Sequence, residues 1–230
     1  MISSPSGNAI REEAITAFSL LGKDIGFLAP IIRFVARQPG IMRSRVFMKA
    51  MKTFPAKVSR TYDEKVKKNE LAYLEIKEGL RLIEGSPMRI LDLCTGSGAA
   101  AILSAFSFPE ATIDALDYSE EMLKIVGEKT ELLNLNNVRR VRGNAASLQY
   151  ADGSFDLITS SNAPVYLPEI ERVLRPGGFV LLSFSFAGSS FIKAEKSIDR
   201  YFKRHNLEFR ALKRAGKGAF AIAAKAPAMQ

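Results

Sequence analysis

The stretch Arg89-Ile-Leu-Asp-Leu-Cys-Thr-Gly-Ser-Gly-Ala-Ala-Ala101 decides the fold. Arg89–Cys94 is a short apolar run of strand type, and it carries one acid, Asp92. Gly96 and Gly98 supply a sharp turn and let the backbone approach a ligand closely. The residues from Gly98 onward open a helix, whose first amide groups have no partner within the helix. Strand, Gly-rich turn and helix in this order read as the first unit of an α/β domain with a parallel sheet.

The pattern continues outward from that unit. Further strands are expected at Ala111–Leu116, Val138–Arg142, Phe155–Ser160, Gly178–Ser185, Leu207–Lys213 and Gly218–Lys225. Helical patterns fill the intervals at Gly98–Ser107, Ser119–Asn134, Leu167–Leu174 and Ser189–Lys203. Alternation of this kind predicts βαβ units. The last two strands leave no room for a crossover helix, so they form a hairpin turning at Ala215-Gly216-Lys217, with one strand antiparallel. Upstream, Asp63–Ile83 reads as a helix with Val66, Tyr73, Ile76, Leu80 and Ile83 on one buried stripe. Before it lie helical segments at Asn8–Leu21, Ile25–Arg37 and Ile41–Phe54, broken by Gln38-Pro39-Gly40 and ended by Pro55. The expected organisation is a basic helical extension or lid over 1–60 and an α/β domain over 61–230.

Composition narrows the chemistry. A chain of 230 residues suits one domain plus an appendage. The single cysteine, Cys94, permits no intrachain disulfide and no multi-cysteine zinc site. The single histidine, His205, removes a His-pair metal site, and its position reads as a helix C-terminus at the surface. No metal is expected. The most apolar stretch, Ile25–Ala36, is interrupted by Arg33 and is far short of the ~20 residues of a membrane span. With no secretory signal pattern either, a cytoplasmic location is expected. The net charge is +9, and residues 1–60 hold four Lys and six Arg against three acids. Such asymmetry suits an anionic partner, phospholipid or nucleic acid, or simply a solvated face. The Met and Phe residues of the extension read as core contacts, or as an apolar lid whose basic flank rests on anionic membrane.

Asp117 ends the second strand, nineteen residues past Gly98. That place suits a carboxylate gripping two ribose hydroxyls. Gly96-Ser97-Gly98-Ala99-Ala100-Ala101 also satisfies the dinucleotide pattern G-x-G-x-x-A, which keeps a nicotinamide-dependent oxidoreductase in view. Asp92 weighs against it, because a carboxylate beside the turn repels a pyrophosphate and attracts an ammonium group.

Five segments in order resemble the class I S-adenosylmethionine-dependent methyltransferases. They are Asp92-Leu-Cys-Thr-Gly-Ser-Gly98, Asp117-Tyr-Ser-Glu-Glu-Met-Leu123, Gly143-Asn-Ala-Ala-Ser-Leu148, Ser154-Phe-Asp-Leu-Ile-Thr-Ser-Ser-Asn162 and Glu171-Arg-Val-Leu-Arg-Pro-Gly-Gly178. Cys94 departs from a usual glycine, and Asn144 from a usual acid, although its carbonyl can still accept a hydrogen bond. The resemblance implies a doubly wound, mostly parallel seven-stranded sheet with a reversed last strand, and S-adenosyl-L-methionine as cofactor. It implies cofactor contacts at Asp92, Cys94, Thr95, Gly96, Gly98, Asp117, Tyr118, Met122, Asn144, Ala145 and Ser160. Tyr62, Asn162 and Tyr166 are the candidates beside the reacting methyl. The nearest flavour is the small-molecule branch, including enzymes acting on quinone-type lipids. Asn162-Ala-Pro-Val-Tyr166 differs from the Asn-Pro-Pro-Tyr of the amine-methylating branch. Methyl transfer to a small, apolar or aromatic acceptor is therefore expected. The alternatives are an RNA or protein methyltransferase gripping through the basic extension, and a binding module without chemistry.

Overall fold

The computed structural model describes residues 73–185 and 192–227. The extension over 1–60, the lid, Tyr62, and the first residues of the helices expected at 63–83 and 189–203 lie outside the described residues. What is described runs α1 (Leu74–Arg81), β1 (Arg89–Leu93), α2 (Ala99–Ser107), β2 (Thr112–Asp117), α3 (Glu120–Leu132), β3 (Val138–Arg142) and β4 (Phe155–Ser161). It continues with α4 (Leu167–Val173), β5 (Leu174–Phe184), α5 (Glu195–Lys203), β6 (Leu207–Ala215) and β7 (Gly218–Lys225).

The strands form one seven-stranded sheet in the order β3-β2-β1-β4-β5-β7-β6. β1 pairs in parallel with β2 and β4, and β4 with β5, whereas β7 runs antiparallel to both β5 and β6. The hairpin expected at Ala215–Lys217 is present, and β7 is the reversed strand. β1 shows why the centre holds. Ile90, Leu91 and Leu93 are all buried, because a central parallel strand is covered on both faces. Each such side chain contributes roughly 1.5–3 kcal/mol. On one face Ile90, Ile113 and Leu157 meet Ile76 and Leu80 of α1 and Ala101 of α2. On the other, Leu91, Leu93 and Ile158 meet Leu167 and Ile170 of α4 and Phe202 of α5.

Helix ends follow the sequence. Ser119 caps α3 by accepting from Met122 N, and Glu120 and Glu121 sit in its first turn, where acids favour the helix dipole. Lys225 Nζ reaches the C-terminus of α4, donating to Glu171 O at 2.6 Å and Leu174 O at 2.9 Å. Arg172 fastens the loop after β3 through Leu148 O at 3.0 Å and Tyr150 O at 2.7 Å.

β5 begins at Leu174, four residues before the strand start expected from the sequence. Arg175-Pro-Gly-Gly178 looks like a turn, yet Leu174 pairs with Phe155 and the register shifts before Leu157 pairs with Phe179. The Gly-rich segment is a bulge inside the strand, with Gly177 at φ 74. Among the described residues no helix is long and apolar enough to cross a membrane.

Candidate functional site

The carboxyl ends of β1, β2, β3 and β4 lie side by side at one edge of the sheet. Ligands settle there in open α/β folds, where the strand order reverses. The turn after β1 is lashed to β2: Thr95 N donates to Leu116 O at 2.9 Å, and Gly98 N to Thr95 O at 2.9 Å. Cys94, Gly96 and Gly98 all have left-handed backbones, with φ of 57, 54 and 87. The usual glycine would adopt that conformation freely. Cys94 adopts it at a cost of about 1–2 kcal/mol. Burial, then the charges of Asp117 and Asp92, push its thiol pKa up, so it stays protonated and is no nucleophile.

Gly96 and Gly98 differ in what surrounds them. A Cβ on Gly98 would stand 3.0 Å from Val126 Cγ2, whereas nothing lies within 4 Å of one on Gly96. Gly98→Ala is therefore expected to cost about 2–3 kcal/mol, from backbone strain plus overpacking, and Gly96→Ala about 1 kcal/mol, from strain alone. Urea unfolding of the two variants checks this, and equal losses would contradict it. The open space over Gly96 is also where a ligand can approach the turn.

Asp92 lies beneath the turn, 1% exposed. Its Oδ2 accepts from Thr95 Oγ1 at 2.5 Å and Ala101 N at 3.0 Å, and its Oδ1 accepts from Thr159 Oγ1 at 2.8 Å. Thus it holds turn, helix α2 and strand β4 together, with one lone pair of Oδ1 uncommitted. Burial raises its pKa from 3.8 to about 6 against these bonds. Thr159 was not among the residues anticipated from sequence. The signal for it is register: Asp92 pairs with Thr159 across β1 and β4.

Asp117 is half-buried at the end of β2. Its Oδ2 accepts from Gly96 N at 2.8 Å and its Oδ1 from Ser119 N at 2.9 Å. One lone pair of each oxygen remains, which suits two neighbouring hydroxyls. Burial raises its pKa, against the backbone amides of Ser119, Gly96 and Tyr118. Tyr118 beside it is half-buried, and Met122 is buried one turn into α3. Beyond β3, Asn144 Oδ1 accepts from Ala146 N at 2.9 Å, so one lone pair of that carbonyl is already committed. Ala145 is buried. Ser160, 3% exposed, has a hydroxyl without any hydrogen-bond partner among the described residues. An orphaned buried hydroxyl calls for a partner that binds there.

Past β4 the chain turns through Asn162, φ 52, which is exposed. Ser185 N donates to Asn162 Oδ1 at 2.9 Å, tying the ends of β4 and β5. Tyr166 precedes α4 and is 8% exposed. Burial and then the nearby Cys94 raise its pKa, so its hydroxyl remains a hydrogen-bond donor. The structure thus gathers Cys94, Thr95, Gly96, Gly98 and Asp117 around one turn, with Asn144, Ser160, Asn162 and Tyr166 at the neighbouring strand ends.

Residues 90–178 match the family model described as a methyltransferase domain. A demethylmenaquinone methyltransferase of Listeria welshimeri is 41% identical over 97 residues, which cover 39% of this chain and 41% of that protein. The match therefore spans about two fifths of the length of the curated relative. Among solved structures, a SAM-dependent methyltransferase from Aquifex aeolicus aligns with a TM-score of 0.56 at 21% identity, covering 70% of this chain and 97% of its own. A chain of the complex between the Haloferax volcanii Trm112 methyltransferase activator and a methyltransferase aligns with a TM-score of 0.62 at 15% identity, covering 76% and 97%. These likenesses establish the Rossmann-like methyltransferase fold, and residues 90–178 match a methyltransferase domain.

Proposed function

We propose, from the match of residues 90–178 to a methyltransferase domain, that the protein is a class I S-adenosylmethionine-dependent methyltransferase that transfers a methyl group to a small apolar or aromatic acceptor. The 41% identity to a demethylmenaquinone methyltransferase supports a quinol-type ring as that acceptor. The observation that carries the reading is the carboxylate of Asp117, held by Gly96 N and Ser119 N with a lone pair left on each oxygen.

The residues fit the cofactor. Asp117 would grip the ribose diol, and Tyr118 and Met122 would flank the adenine. Asn144 would offer the second lone pair of its carbonyl to the adenine amine, beside Ala145. Asp92, under Cys94 and Thr95, would draw the ammonium of the methionine tail towards the turn. The orphaned hydroxyl of Ser160 would meet that tail. S-adenosylmethionine, when bound, supplies a methyl on a positively charged sulfur, which is a good leaving group. The protein then has to hold the acceptor in line and exclude water, and positioning of this kind supplies roughly 7–11 kcal/mol. Asn162 and Tyr166 are the described candidates on the acceptor side. Asn162 offers an amide and Tyr166 a buried phenol.

Calorimetric titration with S-adenosylmethionine, S-adenosylhomocysteine and NAD is expected to give heat with the first two and none with NAD. Turnover follows with short-chain demethylmenaquinol and a panel of aromatic metabolites. Binding of NAD without either sulfur compound would overturn the reading, and cofactor binding without any turnover would leave a binding module.

A further inference from the structure

Glu75, in the first turn of α1, is an acidic residue only 3% exposed. Its Oε1 accepts a hydrogen bond from Ser185 Oγ at 2.6 Å. Ser185 stands one residue past β5 and Asn162 one residue past β4, on neighbouring strands. The protons of this network follow from the backbone. Ser185 N can only donate, and it lies 2.9 Å from one end of the Asn162 amide, so that end is the carbonyl. The other end, Nδ2, therefore donates to Ser185 Oγ at 2.9 Å. Ser185 Oγ accepts from Asn162, so its single proton goes to Glu75. One lone pair of Oγ is left over. The network leads from exposed Asn162 through half-buried Ser185 to the buried side chain of Glu75.

We infer that Glu75 is the positioning residue of a hydrogen-bond-accepting subsite at Ser185 Oγ, which takes a hydroxyl of the methyl acceptor. The inference rests on the methyl-transfer reading. Glu75 pulls on the serine proton, which strengthens the remaining lone pair, since hydrogen bonds in a chain polarise one another. An acceptor hydroxyl gains a bond there. An ether oxygen at the same place meets lone pair against lone pair. The subsite lies at the carboxyl ends of β4 and β5, on the same edge of the sheet as the Gly-rich turn and on the side away from Asp117. It therefore distinguishes hydroxylated rings from their blocked ethers.

The probes are 2-naphthol and 2-methoxynaphthalene, which share a ring system and differ in the hydroxyl proton. Their binding is followed by fluorescence, with and without saturating S-adenosylhomocysteine. The wild-type chain is expected to bind 2-naphthol about tenfold tighter, the effect of one hydrogen bond to a polarised acceptor. Ser185→Ala and Glu75→Met bring the ratio near one, while Ser185→Thr and Glu75→Gln, which keep the hydroxyl and an accepting oxygen, preserve most of it. A general loss of packing would lower both probes together and leave the ratio intact. Affinity for S-adenosylhomocysteine stays within about twofold of wild type in all four variants, since neither residue touches the Gly-rich turn. A ratio near one in the wild type, or one that survives in Glu75→Met, overturns the subsite. Failure of the wild type to bind S-adenosylhomocysteine overturns the methyl-transfer reading instead, and the naphthol ratio without it still decides the subsite.

Discussion

Replacing Asp117 by alanine is expected to weaken binding of S-adenosylmethionine by roughly two to three orders of magnitude. The proposed ribose contact gives the carboxylate two hydrogen bonds, one on each oxygen. Bonds to a charged group are worth about 1.5–3 kcal/mol each; at the lower end of that range, fitting for a carboxylate only half-buried, two of them sum to about 3–4 kcal/mol, which corresponds to that range of affinity. The substitution has a second effect. Gly96 N, 2.8 Å from Oδ2, and Ser119 N, 2.9 Å from Oδ1, lose their acceptor. Gly96 is half-buried and its amide can turn to water, whereas Ser119 is buried, so the loss of folding stability should be about 1–3 kcal/mol, less than the loss of binding. The two effects separate in paired measurements. Calorimetry reads the affinity, and urea unfolding without ligand reads the stability. A large loss of affinity with a smaller loss of stability places Asp117 on the ligand. An affinity within about threefold of wild type would remove it from the site, and the assignment of the ribose pocket with it.

Most of this architecture is legible in the sequence because its strands are central. Ile90, Leu91 and Leu93 alternate between two buried faces and so read as one apolar run. The hairpin of β6 and β7 is legible from chain length alone. The start of β5 is not, because Arg175-Pro-Gly-Gly178 has turn chemistry and its strand character depends on Phe155 pairing with Leu174 across a bulge. The site divides in the same way. Asp92, Gly96, Gly98 and Asp117 lie on one local motif and can be found in one dimension. Thr159 meets Asp92 across 67 positions, and Ser185 meets Glu75 across 110. Those partners are set by the register of β1 on β4 and by the packing of α1 against β5, which no local pattern encodes. Asp92 gains a structural role for the same reason: sequence places a carboxylate beside the turn, and its three bonds also make it an anchor of that turn.

That anchoring predicts how acidity acts. Burial raises the Asp92 pKa from 3.8 to about 6, so the folded protein holds its proton more tightly than the unfolded chain does. A carboxyl raised in this way favours the folded state below pH 3.8, and that contribution is lost as pH rises through about 6. A rise from 3.8 to about 6 corresponds to about 3 kcal/mol of stability given up by neutral pH for keeping a charge buried. Cofactor binding runs in the opposite direction. An ammonium drawn to the turn favours the ionised carboxylate, so a protonated Asp92 must first release its proton. Affinity for S-adenosylmethionine is therefore expected to be flat above about pH 7 and to fall roughly tenfold between pH 7 and pH 5. Calorimetry in buffers of different ionisation heat should register the released proton near pH 6. In Asp92→Asn the fall should vanish, with affinity at pH 7 lower by about ten- to a hundredfold, since the attraction to the cation is gone. The amide oxygen can still accept from Ala101 N, and the Thr159 hydroxyl can turn to accept from the new NH2, so the turn survives. Apo Asp92→Asn should match or exceed the wild type in stability at neutral pH, because the buried charge is removed. A variant that keeps the acid fall would assign that titration to another group and leave Asp92 as a purely structural anchor.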